Sequence, residues 1–152
     1  MTAFAEEKHG SLAWGLVMFI PALGMLAFSA RVPIPGIRLT LIASAIILIG
    51  ASAMAWSGFR YSFSSSGLDI YTLGFRVRSI PAADIRSYAP DRWNVIGGYG
   101  IRGLGSRRAY VWSNSGVRIK TTHGEVFLGH DDPQRIVRDL DMVTGGVAAN
   151  KF

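Results

Sequence analysis

The chain has 152 residues, carries sixteen Lys and Arg against ten Asp and Glu for a net charge of +6, and contains no cysteine. The missing thiols exclude disulfides, thiolate metal sites and cysteine nucleophiles, while a basic excess of this size draws a protein held at a bilayer toward anionic lipid. Two uncharged apolar runs occupy most of residues 10–59, which leaves roughly ninety residues for a globular unit, enough for one small core.

The opening MTAFAEEKHG, residues 1–10, reads as an N-terminal tail, because Glu6 and Glu7 beside Lys8 are not the basic start of a secretory signal. No residue from Gly10 to Ala30 is charged. A first membrane span is expected over about residues 11–30, retained rather than cleaved. The run from Leu39 to Phe59 is again free of charge. As a helix it is roughly 30 Å long, which matches the hydrocarbon thickness of a bilayer, so residues 39–59 are the second expected span. Arg31 to Arg38 lie between them with Pro33, Pro35 and Gly36, and a connection so short joins only antiparallel neighbours. Residues 11–59 are therefore predicted to form a transmembrane hairpin. Trp14 and Trp56 then fall at one membrane face, as interfacial aromatics do. Ser11 with Gly15, and Ala51 with Ala55, are small pairs that let two helices approach closely. Lys8, Arg60, Arg76 and Arg78 on the terminal side outnumber Arg31 and Arg38 in the loop. That count places both termini in the cytoplasm, in an inner or plasma membrane crossed twice.

After Arg60 the hydrophobic period becomes two. Tyr61–Ser65 and Leu68–Leu73 flank a Ser-Ser-Gly turn, and Phe75–Ile80 follows Gly74. Ile85–Tyr88 reads as a short fourth strand. Residues 89–108 have no clear period and hold five glycines. Strands resume at Ala109–Ser113, Val117–Thr121 and Glu125–Gly129. A final helix begins at an Asp131 or Asp132 cap with Pro133 in its first turn. Ile136, Val137, Leu140 and Val143 form its apolar stripe, with Asp139 and Asp141 largely outside it. Gly145-Gly146 ends it, and the tail to Phe152 is expected to fray.

Seven short antiparallel strands followed by one amphipathic helix is the element order of the pleckstrin-homology (PH) fold. Ser79-Ile80-Pro81-Ala82-Ala83-Asp84-Ile85, Tyr99-Gly100-Ile101-Arg102, Gly116-Val117 with Ile119 and Gly124, and Leu128-Gly129 leading to Asp131-Asp132-Pro133 extend the match over residues 60–143. In these segments the chain resembles the bacterial PH-like membrane proteins, in which spans precede such a domain. The resemblance implies an α+β, mainly β fold: the two-helix hairpin, then a seven-stranded antiparallel PH-like barrel over residues 60–152, capped by the C-terminal helix. It also implies a non-catalytic scaffold or sensor. Relatives that bind phosphoinositides carry basic residues between their first two strands. Here that loop is Ser64-Ser65-Ser66-Gly67, and this departure argues against phosphoinositide recognition.

Gly98-Tyr99-Gly100-Ile101-Arg102-Gly103 satisfies GxGxxG, but a dinucleotide loop needs a helix directly after it, whereas Arg107 and Arg108 lead into a strand. Between Arg86 and Lys120 seven basic residues meet one acidic residue, Asp91, with Trp93, Tyr99, Tyr110 and Trp112 interleaved. Arginine with aromatics favours protein contacts or headgroups, so Trp93, Tyr99, Arg102, Arg107 and Arg108 are the candidate binding residues. His123 and His130 sit at turns with no third ligand at metal spacing, and no serine lies in a nucleophile elbow. The expected function is recognition of a protein partner at the membrane surface, with no cofactor, metal or nucleic acid. The alternatives are anionic headgroup binding through the Gly-Arg loop and a structural subunit that self-assembles. A lipid-modifying enzyme ranks last.

Overall fold

The computed structural model describes residue 3, residues 5–94 and residues 97–146. The chain forms two compact units, residues 10–57 and residues 1–9 with 58–152.

The first unit is a helical hairpin of α1 (Leu12–Ser29) and α2 (Pro35–Ser57). Ser11 caps α1, its hydroxyl accepting from the Trp14 amide at 3.3 Å. The second helix begins four residues earlier than expected, because Pro35 has the fixed φ suited to a first helical position, and so Arg38 belongs to the helix rather than to the loop. Gly15, Ala22 and Ser29 are the buried residues of α1, and Ala45, Ser52 and Ala55 those of α2. Three small residues seven apart, facing another small set, make a close seam between the two helices. A Cβ on Gly15 would overlap the Trp56 indole, which donates through Nε1 to the Leu12 carbonyl at 3.4 Å. The Ser29 and Ser52 hydroxyls donate to Leu26 and Leu48 of their own helices, which leaves the seam without idle polar groups. Leu16, Val17, Ile20, Leu23, Phe28, Ile46 and Ile47 point outward. Helices apolar all round bury their surface in a large core or in lipid. Both are long and apolar enough to cross a membrane.

In the second unit each of the seven expected strands has a counterpart: β2 (Phe59–Ser64), β3 (Gly67–Thr72), β4 (Phe75–Pro81), β5 (Ile85–Arg92), β7 (Arg107–Val111), β8 (Ser115–Thr121) and β9 (Gly124–Gly129). Two more are present. Residues read as a tail supply β1 (Ala5–His9), and the Gly-rich stretch supplies β6 (Gly100–Arg102). The seven-stranded barrel is thereby corrected. The strands form a four-stranded sheet, β1-β2-β3-β4, and a five-stranded sheet, β5-β8-β9-β7-β6, and no closed barrel. β1 and β6 lengthen the two sheets as edge strands, and β7 lies parallel to β9 where a meander would be antiparallel throughout.

The core collects the inward positions of both sheets: Phe59, Tyr61, Phe63, Leu68 and Ile70 with Tyr88, Tyr110, Val117, Ile119, Val126 and Leu128. Phe59 meets Tyr110 edge-on at 5.4 Å between ring centroids. The Tyr61 hydroxyl is shared between the carbonyls of Tyr110 and Gly129 at 3.2 and 3.0 Å. The helix α3 (Pro133–Thr144) buries Ile136, Leu140 and Val143 against this core. Asp132 caps it by accepting from the Gln134 and Arg135 amides, and Gly145 at φ 62° ends it. Tyr88 ties it to β5, donating to Asp141 Oδ1 at 2.5 Å. Asp139, expected outside the stripe, is buried. Residues 147–152, read as a frayed tail, lie outside the described residues.

Candidate functional site

The five-stranded sheet buries one face in the core and builds the candidate site on the other. Register aligns Arg102 with Ala109, Ala109 with Phe127, Phe127 with Arg118 and Arg118 with Ala89, one row across all five strands. The adjoining row runs Arg107, Glu125, Lys120. Ala109, Val111 and Phe127 form an apolar cluster on which Trp93 and Tyr99 pack from the β5–β6 connection. Trp93 is fixed there. Its amide donates to the Asn114 carbonyl at 2.7 Å, its indole donates to the Gly98 carbonyl at 2.9 Å, and its ring lies 5.4 Å from that of Phe127. Val95 and Ile96 of the same connection lie outside the described residues. The β6–β7 turn is equally shaped: Gly103 has φ 82°, and a Cβ there would overlap the Arg107 carbonyl.

Four of the five candidate residues, Trp93, Arg102, Arg107 and Arg108, line one cavity of about 240 Å³ together with Ala109, Arg118, Glu125 and Phe127. Tyr99 is not brought into its wall. Its hydroxyl donates to Asn114 Oδ1 at 2.7 Å, and it braces the cluster beneath. A second hollow of about 460 Å³ is lined by Ala89, Pro90, Asp91, Arg118, Lys120 and Glu125. The two share Arg118 and Glu125, so they are halves of one groove with the Arg118 side chain as its divider. Arg118 is held at 2.5 Å from Asp91 and 3.7 Å from Glu125, above the Phe127 ring. Among the described residues no ion pair engages Arg102, Arg107 or Arg108. The groove thus offers an aromatic floor, a neutralised central ion pair and cations along one wall.

Sequence reading missed Arg118, Glu125, Phe127 and Asp91. The alternation along β8 places Arg118 and Lys120 on one face, but their neighbours emerge only from the register of β5 and β9. Tyr110 and Trp112, interleaved with the basic residues in the sequence, are not part of this surface. Both are buried, Trp112 stacked against Phe59 in the core. The GxGxxG stretch forms β6 and a turn into β7, with no helix N-terminus to receive a phosphate.

The two turn histidines differ. His123 is 78% exposed, 3.8 Å from Asp84. His130 is 8% exposed; its Nδ1 lies 3.0 Å from both the amide nitrogen and the carbonyl oxygen of Asp132, and its Nε2 lies 3.5 Å from Glu7. Glu7 also receives Arg135 at 3.0 Å, and His9 lies 5.4 Å from the His130 ring and 3.7 Å from Asp131. This cluster clamps β1 to the start of α3. Burial holds His9 below the ordinary imidazole range, with the Asp131 carboxylate opposing and His130 adding to the depression. Burial, then the nearby Glu7, raises Asp139 above the usual carboxylate range. Among the described residues no group of His, Asp and Glu is arranged to hold a metal ion.

Comparison of the chain with protein-family models, with curated proteins and with solved structures finds no match. Two long apolar helices followed by a sheet-rich unit are compatible with the PH-like membrane proteins at the level of element order.

Proposed function

We propose that this is a membrane-anchored recognition module, a two-span hairpin carrying a PH-like, non-catalytic domain that binds a protein partner at the cytoplasmic surface. The observation that carries the reading is the groove: Trp93 and Phe127 form its floor, Arg102, Arg107 and Arg108 its basic wall, and among the described residues no acidic residue but Glu125 lines that half. Aromatic and arginine side chains in one depression are the composition of a binding hot spot. The occupant that fits is an acidic, extended protein segment whose apolar side chain reaches Trp93 while its carboxylates meet the arginines bidentately. Binding rather than catalysis is supported by the histidines, one at an exposed turn and one engaged in clamping β1.

A photo-reactive residue at Arg107, in native membranes, tests this. A discrete protein adduct is expected, lost when Trp93→Ala or Arg102→Glu is added. Adducts to lipid alone would transfer the groove to headgroup binding, and an adduct to a second copy of the chain would make it an assembly surface. Each arginine truncation is expected to weaken the partner about tenfold, the effect of one hot-spot side chain worth about 1.4 kcal/mol.

A further inference from the structure

We propose that the tip of the β3–β4 hairpin, Leu73-Gly74-Phe75, is a third membrane contact, its apolar side chains set in the boundary between headgroups and acyl chains, with Lys8, Arg60 and Arg76 behind it on lipid phosphates. The inference rests on α1 and α2 being spans.

Register carries the argument. In the four-stranded sheet β1 and β3 run toward one end, β2 and β4 away from it. The terminal rung at that end pairs His9 with Phe59, Phe59 with Thr72, and Thr72 with Phe75. The chain leaves this rung at His9, with only Gly10 and Ser11 before α1, and comes back to it from α2 through Gly58 alone. One residue spans at most about 3.6 Å. A strand that begins one residue after a membrane span therefore begins at the bilayer surface, and the β3–β4 tip occupies the same end of the same sheet, about 10 Å further across it.

The side chains at that tip suit lipid and not water. Phe75 is 75% exposed and Leu73 48% exposed. Leu73 has φ 50°, and it is the only non-glycine residue with positive φ among those described. A hairpin turn ordinarily places Gly or Asn there, without the penalty a branched apolar side chain meets. A large apolar residue is thus held outward against its backbone preference, where the domain offers it little packing. One rung behind, Lys8 pairs with Arg60, Arg60 with Tyr71, and Tyr71 with Arg76. Lys8, Arg60 and Arg76 are all exposed. Glu6 and Asp69 reach Arg60 and Arg76 only at 3.8 and 3.7 Å, and Arg60 lies over the Tyr71 ring. Two cations directly opposite each other on neighbouring strands repel, unless an anion lies between them. An apolar tip backed by cations one residue deeper matches the order in which a bilayer presents its acyl boundary and its phosphates.

The chain has no cysteine, so single cysteines report unambiguously. The full-length protein carrying Phe75→Cys, labelled with an environment-sensitive fluorophore, is reconstituted in vesicles of phosphatidylcholine and phosphatidylglycerol with a spin-labelled lipid quencher. Ile46→Cys in α2 reports the span. Leu104→Cys, in the β6–β7 turn and 91% exposed, reports the domain surface. Blue-shifted, quenched emission is expected at Phe75 and Ile46 and not at Leu104, with the Phe75 quenching lost when Leu73→Asp is added. Quenching at Ile46 without Phe75 would overturn the third contact and leave the spans standing. Absence at both would remove the spans and the inference together. Equal quenching at Phe75 and Leu104 would overturn a contact specific to the tip.

Discussion

Tyr61 and Tyr110 are both fully buried, and a single hydroxyl separates their roles. That of Tyr61 serves two carbonyls, and burial, with Tyr110 close by, raises its pKa far above the ordinary phenol value. That of Tyr110 has no hydrogen-bond partner among the described residues. Tyr61→Phe is expected to cost about 1–2 kcal/mol, and Tyr110→Phe to be neutral or stabilising, because an unsatisfied buried hydroxyl is itself a cost; urea denaturation of the purified chain in detergent measures both. The alternation of β2 made the burial of Tyr61 legible in the sequence. Nothing local distinguished the two hydroxyls, since their partners come from other strands. Asp139 was misplaced for a related reason. It lies beside the stripe on α3, and what buries it is tertiary packing and the approach of β1. Its raised pKa means that the folded state holds a proton which the unfolded state has released, so its ionisation above that window costs stability. Asp139→Asn is therefore expected to stabilise the fold at neutral pH. His9 has the opposite linkage: the unfolded state binds protons more readily than the folded one, so stability is intact above the ordinary value of 6.5 and is lost as pH falls below it. Thermal melts of the parent chain and of His9→Gln across that range check this, the variant showing the smaller loss.

Among the elements, the strands that were legible are those with apolar residues at every second position and a Gly-containing turn. β1 has five residues with Glu6 and Lys8 outward, and its partner β2 begins fifty residues further on; a short charged edge strand of that kind has no local signature. β6 has three residues inside a glycine-rich stretch. The hairpin was readable from apolar length alone, whereas of the expected small pairs only Gly15 and Ala55 lie in the buried seam, which runs on through Ala22, Ser29, Ala45 and Ser52. Gly15→Leu is expected to displace Trp56 and separate the helix pair, seen as a loss of disulfide formation between cysteines introduced at Ser11 and Ala55, which the Ser11 amide and the Ala55 carbonyl bring together at 2.8 Å. Gly67 has φ 143°, and a Cβ there would strike the Ile80 carbonyl. Gly67→Ala is expected to destabilise the four-stranded sheet by about 1–3 kcal/mol.

For the molecule as a whole, the decisive feature is that the apolar hairpin interrupts a sheet between two neighbouring strands. The chain departs at His9 and resumes at Phe59, a registered pair, so an even number of crossings separates them, and the segment before α1 and the domain after α2 share one side of any membrane they border. The basic, aromatic composition of the groove wall was legible in the sequence. The groove's floor and its central ion pair were not, because they join residues from three strands and the β5–β6 connection. Placement of this fold at a membrane is tested most directly by single-cysteine labelling with a membrane-impermeant thiol reagent, in intact and in ruptured cells. Expected is labelling of Ala3→Cys and His123→Cys only after rupture, of Gly36→Cys in intact cells, and of Ile46→Cys in neither. Labelling of Ile46→Cys by the aqueous reagent, or of Ala3→Cys and His123→Cys from opposite sides, would contradict a two-span protein with its recognition domain at the cytoplasmic surface.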